Sequence, residues 1–246
     1  MRINDFHIHV GQFNDKYFSP ESVWSFLKSV GVDYFAVSST SICGYNVNQA
    51  LSDIKQIVSL SAGRAYPVLW LMPGLFSDEP LNVFLKSGIS WKCVKMHGFH
   101  DWTNGDIEKA LSVARILNVP FMMHTGGRKH CDAGQYYSIC KKNPNQQFVL
   151  AHSRPCDETI DVMKKCENVW ADTAFTPIED VVKIIEAGFE DRVMWGSDYP
   201  IPELYYKHCS IKRLYLEKIE SLSSVITSDI FDKITKLNFN RFLEVV

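Results

Sequence analysis

Two short motifs near opposite ends of the chain carry residue types that bind metal ions. His7 and His9 end an apolar run close to the N-terminus, and Asp198 ends another apolar run near the C-terminus. In an extended strand, residues i and i+2 point to the same side about 7 Å apart along the backbone, so both imidazoles could reach one ion. Two histidines on a solvated strand edge are the alternative for this pair taken alone.

The elements between these motifs must position the site. Short β-branched or aromatic runs alternate with polar segments whose apolar residues have helical spacing. Eight runs are predicted as strands: Ile3–His9, Tyr34–Ser38, Ala65–Leu71, Cys93–His97, Phe121–His124, Phe148–His152, Val169–Asp172 and Val193–Ser197. Seven segments are predicted as helices: Pro20–Val30, Val47–Leu60, Leu81–Lys86, Ile107–Leu117, Gln135–Lys142, Asp157–Cys166 and Ile178–Ala187. This alternation predicts an α/β fold, a (β/α)₈ TIM barrel, with Tyr205–Val246 supplying the eighth helix and C-terminal capping helices.

Length and composition fit one enzyme domain over residues 1–246, because no Pro/Ser-rich linker or composition shift divides the chain. With 26 basic and 28 acidic residues and no basic stripe, nucleic acid is not expected as a partner. The apolar stretches are far shorter than the roughly 20 residues that span a bilayer, so no membrane association is expected. Seven cysteines without a CxxC pair, and no signal-like N-terminus, predict a reduced, cytoplasmic protein. The oligomeric state stays open, a homo-oligomer included.

Six polar residues are predicted to meet at one end of this barrel, because all its strands open with their C-terminal ends on the same face. They are His9, His97, His124, His152, Asp172 and Asp198. One histidine at a strand end is more often a structural residue, but six such placements together predict a metal site. Nitrogen ligands with one carboxylate favour Zn²⁺, or another divalent transition metal, over Mg²⁺ or Ca²⁺.

Several segments of the chain also occur in a characteristic order. They are Asp5-Phe-His7-Ile-His9, Val94-Lys95-Met-His97, Met123-His124-Thr-Gly126, Ala151-His152-Ser153, Trp170-Ala-Asp172-Thr173, Trp195-Gly-Ser-Asp198-Tyr-Pro200 and Asn238-Phe-Asn-Arg241-Phe. In these segments the chain resembles the amidohydrolase superfamily. The resemblance is to its amidohydrolase-related branch, which includes the aminocarboxymuconate-semialdehyde decarboxylase-like metal-dependent hydrolases. It extends over nearly the whole chain.

The resemblance implies that His7, His9, His124 and Asp198 bind the metal. His152 would then be the catalytic histidine of a one-metal site, or a ligand of the second ion in a two-metal site. Lys95 stands where two-metal relatives place a carboxylated bridging lysine, although many one-metal members also carry lysine there. One ion is the expectation, with two as the alternative.

A divalent ion with an open position lowers the pKa of bound water from about 15.7 to about 7 and polarises a substrate carbonyl. Asp198 is predicted to take the proton from this water and pass it to the leaving group. His152 could stabilise the oxyanion or act as general acid or base, because its ordinary pKa is close to working pH. Lys95, His97 and Arg154 are predicted to bind a small-molecule substrate, Arg154 through charge-assisted bonds to a carboxylate.

We therefore expect a metal-dependent hydrolase of a small ester, lactone or amide. The alternative is a metal-dependent nonoxidative decarboxylase of a small carboxylic acid. Relatives of that type present a basic residue after the first strands, whereas Val10–Ser19 offers only Lys16 and Ser38–Gln49 offers none. A noncatalytic metal-binding barrel is disfavoured by the complete ligand set, and a metal-dependent deoxyribonuclease by the net charge of −2.

Overall fold

The computed structural model describes residues 2–75, 78–98 and 102–245, apart from the side chains of residues 78–80 and 104. Its strands form one curled sheet in the order β2-β1-β3-β4-β5-β6-β7-β8-β9. They are β1 Ile3–Phe13, β2 Lys16–Phe18, β3 Val32–Ser39, β4 Ala65–Leu71, β5 Cys93–Met96, β6 Phe121–His124, β7 Phe148–Ala151, β8 Val169–Asp172 and β9 Val193–Met194. The eight predicted strands are all present and pair in parallel, while the unpredicted β2 pairs antiparallel with β1.

The segment that follows β9 returns to the first strand. The N–H of Phe6 donates to the carbonyl of Trp195 at 2.8 Å, and the N–H of Asp198 donates to that of His7 at 2.9 Å. The N–H of His9 donates to the carbonyl of Tyr199 at 2.8 Å. These bonds hold β1 beside the segment that follows β9, so His7 and His9 lie next to Asp198.

The helices are α1 Pro20–Val30, α2 Val47–Leu60, α3 Asp78–Leu85, α4 Asn104–Leu117, α5 Tyr137–Lys142, α6 Cys156–Lys165, α7 Ile178–Ile184, α8 Pro202–Tyr205, α9 Ile211–Val225, α10 Ser228–Asp232 and α11 Asn238–Leu243. Local signals set their ends. In α1 the side chain of Ser19 accepts from the N–H of Ser22, Pro20 is the first residue, and Gly31 closes the helix with a φ of 83°. The predicted bounds of α1 and α2 are confirmed, and the other predicted helices differ by a few residues. No helix in the described ranges is both long and apolar enough to cross a membrane.

The core has two parts. The larger one packs the sheet against the helices. The smaller one, the inner cluster, takes residues from strands around the sheet and two from α11: Phe6, Ala36, Val68, Cys93, Met122, Val149, Ala151, Trp170, Met194, Phe239 and Leu243. Because side chains two residues apart on a strand share a face, Lys95 follows Cys93 and His124 follows Met122 toward the C-terminal ends of the strands.

Candidate metal centre

Two histidines have one ring nitrogen fixed by an acceptor. Nδ1 of His7 lies 2.8 Å from Oδ2 of Asp172, and Nδ1 of His152 lies 3.0 Å from the carbonyl oxygen of Ala174. A carbonyl oxygen or a carboxylate accepts and does not donate, so Nδ1 carries the proton in both rings. Nε2 of each ring therefore keeps the lone pair that can bind an ion.

Asp198, from the other end of the chain, contacts His7 and His9. Its Oδ1 lies 2.9 Å from Nε2 of His9 and 3.2 Å from Nε2 of His7. The other ring nitrogen of His9 lies 2.9 Å from the hydroxyl oxygen of Ser38. Within the described residues, one ligand atom each from His7, His152 and Asp198 forms a group in which all lie within 4.8 Å of one another.

Lys95 places its ammonium among the same nitrogens. Nζ donates to Nε2 of His7 at 2.7 Å, lies 3.3 Å from Nε2 of His9, and stands 4.6 Å from the centre of the Trp70 ring. Burial lowers the pKa of Lys95. The Lys95 amine therefore contacts the ring nitrogens that a divalent cation would use.

The predicted residues His124 and His97 lie at the side of this group. The His97 ring stacks between Trp70, at 5.5 Å between centroids, and His124, at 3.9 Å. The His124 ring meets His152 edge to face at 4.5 Å. The structure therefore brings His124 to the border of the group through His152, while His97 belongs to an aromatic stack.

The charge states suit metal binding. Burial, followed by the charge of Lys95, lowers the pKa of His9 to about 3 and that of His124 to about 3. Burial also lowers the pKa of His152 well below its ordinary value. These imidazoles are neutral at pH 7, which is the form that coordinates metals.

Asp198 stays anionic for a different reason. Burial alone would raise its pKa, but the neighbouring His7, His9 and Lys95 outweigh burial and lower the pKa of this carboxyl. Asp198 and His152 both have left-handed backbones, with φ of 61° and 73°, and such non-glycine residues are concentrated at functional sites. Neutral imidazoles with one anionic carboxylate fit a borderline divalent ion such as Zn²⁺.

Two buried carboxylates support the site from outside. Oδ1 of Asp172 accepts from the N–H of His152 at 2.9 Å and from that of Ala174 at 3.0 Å. Asp5 accepts from the N–H of His7 at 3.0 Å, and other contacts link it to the loop after β9 and to α9. Burial raises the pKa of Asp5 to about 6. Asp172 thus orients the His7 ring and the backbone at His152, and Asp5 holds the backbone at His7.

A cavity of about 550 Å³ opens onto the cluster. Seven of the predicted site residues line it: His9, Lys95, His97, His124, His152, Arg154 and Asp198. Nε of Arg154 is buried without a hydrogen-bond partner in the described part of the chain. Arg154 crosses directly over Gly126, whose φ is 75° and where a Cβ would lie 2.6 Å from the Cβ of Arg154. Glycine is therefore required there for the guanidinium to reach the cavity.

Sequence reasoning missed the aromatic wall of this cavity. It consists of Phe13, Trp70, Phe175, Tyr205 and Tyr206. Trp70 lies one residue before the end of β4, so the strand-end rule could have found it. The other four lie at the end of β1, in loops or at the end of α8, where no periodic pattern marks them.

The chain is similar to known proteins in sequence and in fold. The family model described as Amidohydrolase matches residues 93–242, more than half of the chain. No curated protein sequence matches.

Among solved structures, an uncharacterized TIM-barrel protein from Bordetella bronchiseptica is similar at TM-score 0.73 and 16% identity, over 99% of both chains. A probable 2-pyrone-4,6-dicarboxylic acid hydrolase from Acinetobacter baumannii, with citric acid bound, gives 0.71 and 15%, over 99% of this chain and 100% of that one. A 2,6-dihydroxybenzoate decarboxylase complexed with 2,6-dihydroxybenzoate gives 0.67 and 11%, over 99% and 98%. At these identities the likeness shows the fold.

Proposed function

We propose, because the chain belongs to the amidohydrolase family, that it is a metal-dependent hydrolase acting with an activated water on a small ester, lactone or amide. The observation that carries the proposal is the group formed by His7, His152 and Asp198, of which His152 and Asp198 line a cavity. The family match and the structural likenesses support an enzyme, either hydrolase or decarboxylase.

We propose that His7, His9, His124 and Asp198 hold one Zn²⁺ or a similar divalent ion. The neutral imidazoles of His9 and His124 and the anionic carboxylate of Asp198 support this set. His152 has its Nε2 lone pair in the same group, so it is the residue that would join a second ion. When bound, the ion supplies Lewis acidity, which lowers the pKa of water to about 7 and polarises a carbonyl oxygen.

Asp198 is proposed as the residue that moves the proton. Its lowered pKa keeps it anionic, so it can accept. The same lowered pKa makes it a weak base, so it takes a proton only from a water that is itself acidified. Nε2 of His152 is an acceptor while Nδ1 donates to Ala174, so His152 can stabilise an oxyanion only after it has gained a proton.

The cavity supports a small substrate with an anionic group. Arg154 lines the cavity, its Nε lacks a partner in the described residues, and it can bind a carboxylate by charge-assisted hydrogen bonds. Lys95 and His97, which line the same cavity, are also proposed to contact the substrate. The aromatic wall would pack against a planar body.

A nonoxidative decarboxylase is the second candidate, and a specific observation favours it. The loops after the first strands lack the expected basic residue, but Arg154 and Lys95 bring two cations to the same cavity from elsewhere. A substrate carboxylate could therefore be held without those loops. A structural neighbour is itself a decarboxylase with an aromatic carboxylic acid bound.

We also propose that the curled sheet is a complete (β/α)₈ barrel with the C-terminal helices as its cap. The bonds between β1 and the segment after β9, and the contribution of Phe239 to the inner cluster, support this architecture. A single domain, a small-molecule substrate and a cytoplasmic location complete the proposal.

The test begins with the metal-loaded protein and elemental analysis, for which one divalent ion per chain is expected. A screen then offers lactones, esters, amides and carboxylated aromatics, with CO₂ measured beside hydrolysis products. Incorporation of ¹⁸O from labelled water into the product supports the hydrolase, and CO₂ release without it supports the decarboxylase. A protein that binds no divalent ion at micromolar concentration would contradict both.

A further inference from the structure

A second cavity, of about 370 Å³, lies between the loops after β8 and β9 and helix α9. It is next to the cavity of about 550 Å³ at the candidate metal centre, called the reaction cavity below. The lining of the second cavity is mostly apolar and aromatic, with Thr176, Ser197 and one lysine as polar members, and it includes Phe175, Pro177, Trp195, Tyr206, Leu214 and Lys218. We propose that this cavity binds a small carboxylate with an apolar body, with Lys218 as the residue that recognises the anion.

Lys218 is held by one hydrogen bond and has no direct ion-pair partner among the described residues, while the charges of Asp172, Asp5 and Asp198 act on it from farther away. Its Nζ donates to the carbonyl oxygen of Thr173 at 2.7 Å and lies 5.5 Å from the centre of the Trp195 ring. An ammonium has three N–H donors, and in the described part of the chain this is its one recorded hydrogen bond, with no carboxylate within 4 Å. Burial lowers the pKa of Lys218 to about 8, so the group is still charged at pH 7.

The remaining walls select the rest of the ligand. Phe175, Pro177 and Leu214 offer apolar surface, and the volume is at the lower end of the range for small-molecule pockets. A benzoate-sized or short aliphatic acid fits this combination of one cation and an apolar enclosure. An anion placed there would form a charge-assisted hydrogen bond with Lys218.

The second cavity also touches the reaction site. Phe175 and Tyr206 line both cavities. The Phe175 ring lies 6.3 Å from the His152 ring, and the hydroxyl of Thr176 donates to the carbonyl oxygen of His152 at 2.9 Å. A ligand against Phe175 would therefore alter the surroundings of His152. Binding itself does not depend on the proposed reaction.

The test uses the metal-loaded full chain labelled with 5-fluorotryptophan and followed by ¹⁹F NMR, with signals assigned by Trp→Phe variants. Trp195 reports the second cavity and Trp70 reports the reaction cavity, so the two binding events are separated. Benzoate and hexanoate are the probes. Benzyl alcohol and hexan-1-ol are their neutral counterparts.

Benzoate or hexanoate is expected to shift the Trp195 signal saturably, and Lys218→Met is expected to weaken that binding about tenfold or more. Lys212→Met, an exposed lysine of the same helix, is the matched control and should leave it unchanged. Leu214→Trp should abolish binding by filling the cavity while leaving Lys218 in place.

Three results would overturn the proposal: carboxylates that shift the Trp70 signal alone, no saturable shift at Trp195, or equal affinity in the Lys218→Met protein. A carboxylate that regulates the enzyme and a substrate or product that binds in the second cavity would give the same Trp195 signal. A turnover assay at fixed substrate concentration, with benzoate added to the wild-type and Lys218→Met proteins, distinguishes these two cases. Failure of the proposed reaction would leave the Trp195 titration untouched.

Discussion

Mild acidification should already lower the stability of the metal-free protein. His9, His124 and His152 are neutral in the folded state, with pKa values lowered by burial, whereas in the unfolded chain they titrate near 6.5. A base with a lowered folded pKa contributes stability that is present above its unfolded pKa and lost as pH falls toward the folded pKa. The loss should therefore begin near pH 6.5 and continue to about pH 3.

The size of this loss follows from proton linkage. Each pH unit over which one group differs by a full proton changes the free energy of unfolding by about 1.4 kcal/mol. Between pH 7.5 and 5, His9 and His124 each cost about 2 kcal/mol, or about 4 kcal/mol together, and His152 adds to the loss in the same direction. Asp5 works in the opposite direction, because its pKa is raised to about 6 in the folded state, and it offsets about 1 kcal/mol of that loss. A net loss of about 3 kcal/mol or more is a large part of the whole stability of many domains.

Urea unfolding of chelator-treated protein at pH 7.5, 6 and 5, followed by tryptophan fluorescence, measures this loss. His152→Asn should reduce the loss, since one ring whose pKa is lowered in the folded state is gone. His208→Gln removes an exposed histidine and should leave the loss unchanged. A divalent ion should move the acid transition to lower pH because it binds neutral imidazoles. Equal stability of the metal-free protein at pH 7.5 and 5 would refute the reasoning.

Three further predictions concern single residues. Asp198→Asn should keep the fold but lower kcat at least about 10²-fold on a substrate found by the screen, while the exposed Asp161→Asn leaves it unchanged; near-full activity would remove Asp198 as the base. Asp172→Asn should weaken metal affinity about 10- to 100-fold in a chelator competition, because it loosens the His7 ring, and unchanged affinity would contradict that role. Gly11→Ala should lower the free energy of unfolding by about 2 kcal/mol or more, because φ is 97° and the new Cβ would lie 2.4 Å from an Asp53 oxygen. Gly105→Ala, where no described atom outside the neighbouring residues lies closer than 3.7 Å to the new Cβ, should not destabilise, and similar losses in both variants would refute the steric explanation.

Much of the fold could be predicted from local pattern. The bounds of Pro20–Val30 and Val47–Leu60 are confirmed because side-chain capping by Ser19 and Asn46 is encoded next to each helix. The strand Lys16–Phe18 was not predicted, because three residues carry no periodicity and the strand exists only through its pairing with β1. The predicted Val193–Ser197 ends early, at Met194, because the following residues bond to β1 instead of continuing the pairing with β8.

The sequence by itself determined which residue types stand at the ends of the strands. Parallel strands joined by helices bring those ends to one face, so His7, His9 and Asp198 could be expected together without knowledge of any distance. The family resemblance rested on the same segments and is confirmed by the family match.

Only the tertiary structure decided which atoms meet. The contact between His7 and Asp172 spans 165 residues, and the one between His9 and Asp198 spans 189. Neither that ring orientation nor the position of Lys95 between the nitrogens is encoded by neighbours in the chain. Such contacts depend on strand register, side-chain rotamers and left-handed backbones at strand ends, and these are set by packing across the whole sheet.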